Sequence, residues 1–320
     1  MNPIGGYFEL ELRRDKEYHS KAIALNTGRN ALGLILKVKK YKKVYIPFYT
    51  CDAVLEPIRK IKIPYEFYSI DKSFEPIFNF SILKRTDGFL YTNYFGLKDK
   101  FITELVVRCK NLIIDNSQSF FSLPMKDVPT FYSCRKFFGV ADGAYLYLSG
   151  APKLDFPLDY SLGRFKHLLK RIELGAEAGY GDFKTNDNSL IGQPIKRMSN
   201  LTKALLCNID YGSVKKIRRE NFLFLHRRLS KYNELAIYIT KKAIPMVYPF
   251  LITQPGLKRK LIENNIYNAI YWPNVFSWTS EHAQEYKFAK YIIPLPIDQR
   301  YGKKDLTYLT SILLKSIKYN

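Results

Sequence analysis

The stretch TFYSCRKFFGVADG, residues 130–143, sets Lys136 between a short apolar run and a turn that contains glycine. Upstream of it, NLIIDNSQ at residues 111–118 has the pattern of a buried strand that ends in Asp115 and Gln118. Strands that deliver polar side chains at their carboxyl ends are typical of open α/β sheets, in which ligands bind at that edge. The two stretches together predict such a sheet, with a ligand site beside Asp115 and Lys136.

A lysine and a carboxylate in this order suit pyridoxal phosphate. The amine of Lys136 can form a Schiff base with the cofactor aldehyde, and Asp115 can keep the pyridine nitrogen protonated, so that the ring withdraws electrons. The aromatic neighbours of the lysine are Phe131, Tyr132, Phe137 and Phe138. They are expected to surround Lys136 with apolar surface, where a lysine loses its charge readily. Two simpler interpretations stay open: Lys136 as an exposed surface charge, and Asp115 as the cap of a turn.

A third signal is the sequence Asn26-Thr-Gly28, which interrupts a short apolar stretch before a helical pattern resumes through Leu32 and Ile35. The unpaired N–H groups and the dipole at a helix N-terminus favour anions, so this turn suits a phosphate group. The same three residues also form ordinary helix caps.

The order of these motifs resembles the DegT/StrS family of pyridoxal-phosphate-dependent sugar aminotransferases, which have fold type I. The resemblance covers nearly the whole chain, and the Asp115-to-Gln118 strand end followed by Lys136 is its specific part. The other matching segments are Ile46-Pro-Phe-Tyr-Thr-Cys51, Asn93-Tyr-Phe-Gly96, Arg219-Glu-Asn221, Tyr248-Pro249 and Leu295-Pro-Ile-Asp-Gln-Arg-Tyr301.

The resemblance implies a role for each matching residue. Lys136 is then the lysine that bonds to the cofactor, Asp115 the partner of the pyridine nitrogen, and Gln118 a donor to the ring hydroxyl oxygen. The remaining cofactor-binding positions are Gly28, Arg29 and Asn30, through backbone N–H groups to the phosphate, together with Cys51, Asn93 and Ser133.

Four positions depart from the family pattern. Cys51 stands where an aromatic residue usually stacks on the cofactor ring, and Asn93 stands where a histidine is familiar. Phe131 occupies the place of a phosphate-binding serine five residues before the lysine, although Ser133 lies three before it. In the segment Gln193-Pro-Ile195-Lys-Arg-Met198, Ile195 replaces an asparagine that reaches the phosphate of the neighbouring subunit.

Composition is that of a soluble enzyme with two closely packed lobes, because 320 residues with 47% hydrophobic content can bury a large core and a smaller one. No apolar run is long enough for a membrane helix and no signal peptide is recognisable, so we expect a cytoplasmic protein. The four cysteines and four histidines are scattered, which argues against a metal site or a disulfide framework.

The chain carries 51 basic and 29 acidic residues, a net charge of +22. Such an excess attracts polyanions, but the basic residues are spread along the chain and no nucleic-acid-binding motif accompanies them. We therefore expect no specific nucleic-acid partner. Compositional drift explains the charge most simply; steering of a diphosphate substrate and loose attachment to an anionic membrane surface are the functional alternatives.

Alternating patterns predict strands at residues 44–47, 65–68, 88–91, 112–115 and 144–148, with helices at 52–60 and 98–108. Further on we expect helices at 160–173 and 210–232, a loop at 175–194, strands at 246–252, 269–272 and 292–296, and a last helix at 303–317. The predicted fold is a fold type I α/β transferase: a large domain at residues 1–210 with a mostly parallel, seven-stranded type of sheet, and a smaller C-terminal α+β domain at 211–320.

The predicted function is transfer of an amino group from glutamate or glutamine to a nucleotide-linked keto-sugar, for a surface polysaccharide or a related product. A homodimer with its active sites at the subunit boundary is expected from the resemblance and from the long polar segment at residues 175–194. Two alternatives remain. One is a sugar dehydratase that uses the same cofactor, against which the retained Lys136 speaks; the other is a non-catalytic sensor or scaffold.

Overall fold

The computed structural model describes residues 4–13, 15–151 and 155–318. Its strands are β1 (Ile23–Leu25), β2 (Lys43–Pro47), β3 (Tyr65–Ile70), β4 (Pro76–Ile77), β5 (Asp87–Thr92), β6 (Leu112–Asp115), β7 (Thr130–Ser133), β8 (Ala144–Tyr147), β9 (Val247–Leu251) and β10 (Ile292–Pro296). Its α-helices are α1 (Gly28–Lys39), α2 (Leu55–Ile61), α3 (Asp99–Arg108), α4 (Lys166–Leu174), α5 (Tyr180–Ser189), α6 (Asn200–Cys207), α7 (Tyr211–Leu229), α8 (Leu257–Glu263), α9 (Val275–Trp278), α10 (Gln284–Tyr291) and α11 (Lys303–Lys318).

Strands β1 to β8 form one eight-stranded sheet in the order β1-β8-β7-β6-β5-β2-β3-β4. The five central strands, β7, β6, β5, β2 and β3, are parallel to one another. Strands β8 and β1 on one side and the two-residue β4 on the other pair antiparallel at the edges of the sheet. The mostly parallel α/β sheet predicted from the sequence is therefore confirmed, but it has eight strands rather than seven. Its parallel strands all direct their carboxyl ends to one edge, where β6 ends at Asp115.

Each face of the sheet is covered by its own hydrophobic core. Alternate residues of a central strand point to opposite faces and therefore pack into different cores. On one face Leu90 and Ile113 pack with α1 and α2 in a core of aliphatic side chains. On the other face Phe89, Tyr91 and Ile114 join an aromatic core. That second core includes residues from the C-terminal part of the chain, so the C-terminal third packs against the sheet close to its carboxyl edge.

A second, two-stranded sheet pairs β9 with β10 antiparallel. Helices α7, α8 and α11 cover it, and they form a separate core around Phe222, Tyr248 and Leu295. Asp210 begins this unit by accepting a hydrogen bond from the N–H of Ser213 at 3.0 Å, which caps α7. The proposed division of the chain between residues 210 and 211 stays a prediction. In the part of the chain that the structure describes, no helix is both long and apolar enough to cross a membrane.

The loop predicted at residues 175–194 is wrong in its middle, where α5 spans ten residues. Contacts from distant parts of the chain stabilise this helix: the carboxylate of Asp182 lies 3.2 Å from Lys166 Nζ and 2.7 Å from Lys170 Nζ, and Asn186 Nδ2 donates to the carbonyl of Ala141 at 2.9 Å. A Cβ at Gly179 would lie 2.7 Å from the carbonyl oxygen of His167, so this glycine permits the close approach of α4 rather than marking a loop.

The strand predicted at residues 269–272 is also wrong, because those residues pair with none of the strands in the described part of the chain. Its aromatic side chains serve packing instead. The ring of Trp272 meets that of Tyr49 edge-on at 4.9 Å, and Asn274 Nδ2 donates to the carbonyl of Thr50 at 2.9 Å. Residues 271–274 are thereby held against the turn that follows β2.

Candidate active site

Lys136 ends a single 3₁₀ turn, Cys134–Lys136, that directly follows β7. Its side chain is exposed, its Nζ lies 3.5 Å from Ser117 Oγ, and the same atom lies 5.9 Å from the centre of the Trp272 ring. The expectation that neighbouring aromatic residues enclose this lysine is wrong. Tyr132, Phe137 and Phe138 point into the aromatic core, and Phe131 points into the aliphatic core on the other face of the sheet. The lysine side chain is therefore open to solvent at the carboxyl edge of the sheet, beside Ser117 and Trp272.

Asp115 is the last residue of β6 and is 5% exposed. The backbone N–H of Ser117 donates to its Oδ1 at 2.8 Å. Burial raises the pKa of this carboxyl group above its ordinary value, although the positive charge of Lys136 and the hydrogen bonds from Ser117 act in the opposite direction. The charged form is thus incompletely compensated by the protein, and it would gain from a cationic ligand group.

Gln118 lies three residues further on and is fully buried. Its Oε1 accepts a hydrogen bond from the N–H of Phe95 at 2.8 Å, which fixes the orientation of the amide. Among the described residues, its Nε2 has no hydrogen-bond partner. Buried amide groups without a partner are uncommon, and this one suits a ligand oxygen that accepts.

The N-terminus of α1 lies beside the lysine turn. The N–H of Gly143 donates to the carbonyl of Asn26 at 2.7 Å, and the carbonyl of Gly143 accepts from the N–H of Cys134 at 3.1 Å. In the sheet, Ala144 lies between Leu25 and Ser133, so Ser133 also belongs to this edge. The structure therefore brings together the predicted phosphate turn, Ser133 and Lys136.

Asn30 has other partners than those predicted. Its N–H donates to Thr27 Oγ1 at 3.1 Å, which makes Thr27 the cap of α1. Its side-chain amide donates to Asn26 Oδ1 and to the carbonyl of Pro194, each at 2.8 Å. The first N–H of α1 that bonds within the helix is that of Ala31, to the carbonyl of Thr27 at 3.0 Å. The N–H groups of Gly28 and Arg29 come before it and so remain the better candidates for binding a phosphate.

Cys51 lies close enough to Lys136 for the positive charge of the lysine to affect the ionisation of the thiol. Burial raises the pKa of its thiol, and the positive charge of Lys136 partly opposes this rise. Asn93, by contrast, is fully buried in a network of the fold. Its Nδ2 donates to Asp99 Oδ1 at 2.7 Å, and its Oδ1 accepts from the N–H of Lys98 at 3.0 Å. The predicted contact of Asn93 with a cofactor stays a prediction.

Two residues near Lys136 were not identified from the sequence. Ser117 lies within the motif that delivers Asp115 and Gln118, and its hydroxyl could have been expected near the lysine. Trp272 carries no local signal, because more than 130 residues separate it from Lys136 and only the packing of residues 271–274 on the turn after β2 brings it there.

No protein-family model and no curated protein matches this sequence. Solved structures do. A sugar aminotransferase from Micromonospora echinospora superposes with a TM-score of 0.64 at 13% identity, over 92% of this chain and 87% of that one. The chain shares the fold of sugar aminotransferases. NtdA from Bacillus subtilis, solved with bound PMP, gives 0.64 at 12% identity over 93% of this chain and 73% of that one. A DegT/DnrJ/EryC1/StrS aminotransferase from Brucella abortus gives 0.60 at 13% over 92% and 85%.

Fold type I, predicted from the sequence, is therefore confirmed. At 12–13% identity the likeness concerns the fold alone. What the site does has to be argued from its own residues.

Proposed function

We propose that this protein is a pyridoxal-phosphate-dependent aminotransferase of the DegT/StrS type. The observation that carries the proposal is the meeting of Lys136 with the strand end of Asp115 and Gln118. An amine, a buried carboxylate whose pKa is raised and a buried amide donor without a partner among the described residues are supplied by the ends of two neighbouring strands at the carboxyl edge of the sheet. The shared fold of sugar aminotransferases supports the same assignment.

The residues at this edge of the sheet offer a suitable partner for each chemical group of the cofactor. Asp115 would hold the protonated pyridine nitrogen, and Gln118 Nε2 would donate to the ring hydroxyl oxygen. The N–H groups of Gly28 and Arg29, together with Ser133, would hold the phosphate at the N-terminus of α1. When bound, the cofactor supplies a ring that stabilises negative charge on the carbon next to the transferred nitrogen.

The chemical work of the chain falls on Lys136. As a free amine, its Nζ can take the proton from the α-carbon of the donor and return it to the carbon that accepts it, so one group serves as both base and acid. The hydroxyl of Ser117 lies 3.5 Å from Nζ, at the limit of a hydrogen bond, so it orients the amine only weakly. Asp115 would keep the pyridine nitrogen of the cofactor protonated, since an ionised carboxylate favours the charged form of a neighbouring group.

Within this activity we propose glutamate or glutamine as the amino donor and a nucleotide-linked keto-sugar as the acceptor. The positive charge of the chain supports an acceptor that carries phosphates. A role in polysaccharide or related biosynthesis, a cytoplasmic location and loose attachment to a membrane surface remain parts of this proposal.

Amino transfer from glutamate to nucleotide keto-sugars, measured as formation of 2-oxoglutarate at rising salt, tests the choice of acceptor. We expect KM for the sugar to increase with ionic strength while kcat changes little, because screening weakens the attraction between the protein and the diphosphate. If free keto acids or simple aldehydes are aminated as efficiently as every nucleotide sugar, the proposed acceptor class is wrong, although the aminotransferase assignment survives.

We further propose that the protein is a homodimer. Helices α4 and α5 and the segments next to them present a set of exposed apolar side chains, which is unusual for the surface of a monomer. These residues are Tyr160, Leu162, Leu169, Ile172, Leu174, Tyr180, Phe183 and Ile191. A second copy of the chain would bury them.

Substitution of Ile172, which is 79% exposed, tests this surface. Ile172→Lys places a charge among the apolar side chains, and we expect light scattering to show a shift from dimer towards monomer, because a buried unpaired charge is costly. Val107 on α3 is 83% exposed and lies outside this set, so Val107→Lys is the matched control and should stay dimeric. A monomeric wild-type protein that holds cofactor and transfers amino groups would overturn the proposal.

A further inference from the structure

Arg218 on α7 is the largest fully buried side chain of the described residues, at 1% exposure. Its guanidinium donates three hydrogen bonds: Nε to Gln299 Oε1 at 3.0 Å, Nη1 to the carbonyl of Met246 at 3.1 Å, and Nη2 to the carbonyl of Phe137 at 3.2 Å. All three acceptors are neutral. The nearby carboxylate of Asp298 binds Arg300 instead, at 2.7 and 2.9 Å.

The carbonyl of Phe137 is the shared target of this arrangement. It accepts from Arg218 Nη2 and also from Gln299 Nε2, the latter at 3.0 Å. The guanidinium also lies over the ring of Phe137, 4.5 Å from its centre. Phe137 is the residue after Lys136, so two side chains from the C-terminal third hold the peptide group between Phe137 and Phe138, one residue beyond the lysine.

Packing alone does not explain a charge at this place. Burial lowers the pKa of Arg218 to about 10, which leaves the side chain protonated at neutral pH. A buried cation without a bound carboxylate is expensive, and an apolar residue of similar size would fill the same space at lower cost. What an apolar residue cannot do is bind three carbonyl oxygens at fixed angles.

Lys136 itself has little to fix its direction. Its side chain is exposed, and the contact of Nζ with Ser117 Oγ, at 3.5 Å, is long. The direction in which Nζ points must therefore depend on the backbone of the 3₁₀ turn and on the peptide that follows it.

We propose that Arg218 and Gln299 are positioning residues for Lys136: by both binding the carbonyl of Phe137, they set the direction of the lysine amine at the carboxyl edge of the sheet. This inference rests on the proposed function, because it assumes that Lys136 bonds to pyridoxal phosphate. It adds that the C-terminal third of the chain controls how fast this bond forms.

Gln299→Glu separates positioning from stability. The new carboxylate still accepts from Arg218 Nε and pairs with its charge, so we expect the Tm of the cofactor-free protein to stay the same or to rise. It donates nothing to the carbonyl of Phe137 and brings a negative oxygen against it, so the lysine turn should shift. We expect the visible absorption of lysine-bound cofactor, followed after adding pyridoxal phosphate, to appear about tenfold more slowly or worse.

Gln254→Glu is the matched control. Gln254 is half-buried like Gln299, and its Nε2 likewise donates to a backbone carbonyl, that of Ser316 at 3.0 Å, but far from Lys136 in the fold. It should bond cofactor at the wild-type rate. If Gln299→Glu does not fold, Gln299→Met, which removes the amide without adding charge, provides the same test with the same expected slowing.

The outcomes distinguish the two proposals. A wild-type protein that never bonds cofactor through Lys136 contradicts the proposed function. A wild-type protein that does so, together with a folded Gln299 variant that bonds cofactor just as fast, overturns the positioning role and leaves the proposed function intact. Arg218→Lys adds a check: it keeps the charge but cannot reach all three carbonyl acceptors, so it should slow bonding as well.

Discussion

Replacement of Lys136 by alanine should lower amino transfer by at least about a thousandfold while the protein still folds and still binds cofactor. The substitution removes both the covalent link and the base that moves the proton. The other proposed contacts, through Asp115, Gln118 and the N-terminus of α1, would remain. Because Lys136 is exposed and outside every core, its loss should cost little stability.

The measurements are turnover, the visible absorption of lysine-bound cofactor, and the amount of cofactor retained after gel filtration. The absorption should vanish in Lys136→Ala while the retained cofactor falls only modestly. Lys126→Ala is the matched control, because Lys126 is also exposed but precedes β7 and so lies at the opposite edge of the sheet. Turnover of Lys136→Ala near that of the wild type would contradict the proposed mechanism.

Asp115→Asn should reduce amino transfer by about a hundredfold or more while leaving the link to Lys136 in place. Asparagine has nearly the shape of aspartate, and its Oδ1 can still accept from the N–H of Ser117. It carries no charge, however, so it cannot favour a protonated pyridine nitrogen. The two variants should therefore differ in their visible absorption. In Asp115→Asn the absorption of lysine-bound cofactor persists and only turnover falls, whereas in Lys136→Ala both are lost.

Asp115→Asn should also affect stability, in the opposite direction to its effect on turnover. Burial raises this pKa in the folded protein, so the folded state binds the proton more tightly than the unfolded state. Stability from this group is present at low pH and is lost as the pH rises through the two pKa values. At neutral pH the charged carboxylate therefore destabilises the cofactor-free protein. Asp115→Asn removes that cost, and its Tm without cofactor should equal or exceed that of the wild type.

Thermal unfolding with and without pyridoxal phosphate checks this expectation. The wild type should gain more from cofactor than Asp115→Asn does, because only the wild type gains an ion pair on binding. Wild-type turnover in the variant, or a large fall of its Tm without cofactor, would show that Asp115 has another role.

The parts of the fold that sequence predicted well are those whose signal is local. Strand β6 was predicted at its observed bounds, because an unbroken apolar run between polar residues is typical of a strand buried on both faces. Helix α7 was predicted at residues 210–232 and spans Tyr211–Leu229, and its cap at Asp210 is a local feature of the sequence. In the site, Asp115 ends β6, Gln118 comes three residues later and Lys136 comes three residues after the end of β7, so their positions at one edge follow from the parallel sheet.

The errors concern features that depend on distant contacts. Helix α5 is rich in Gly, Asn and Asp, and its stability comes from α4 and from Ala141 rather than from its own pattern. The open surroundings of Lys136 could not be predicted, because the aromatic residues next to it in sequence turn away into two different cores. The contact of Arg218 with Phe137 joins residues 81 positions apart, and no sequence spacing indicates it.

Borohydride reduction of the cofactor-loaded protein, followed by peptide mass spectrometry, tests the central claim most directly. Reduction makes the bond between a lysine and pyridoxal phosphate permanent, so the modified residue can be identified among the many lysines of the chain. We predict one modified lysine per chain, at Lys136, in the peptide that contains Phe137 and Phe138. Modification of a different lysine, or no modification of protein that has bound cofactor, would contradict the account.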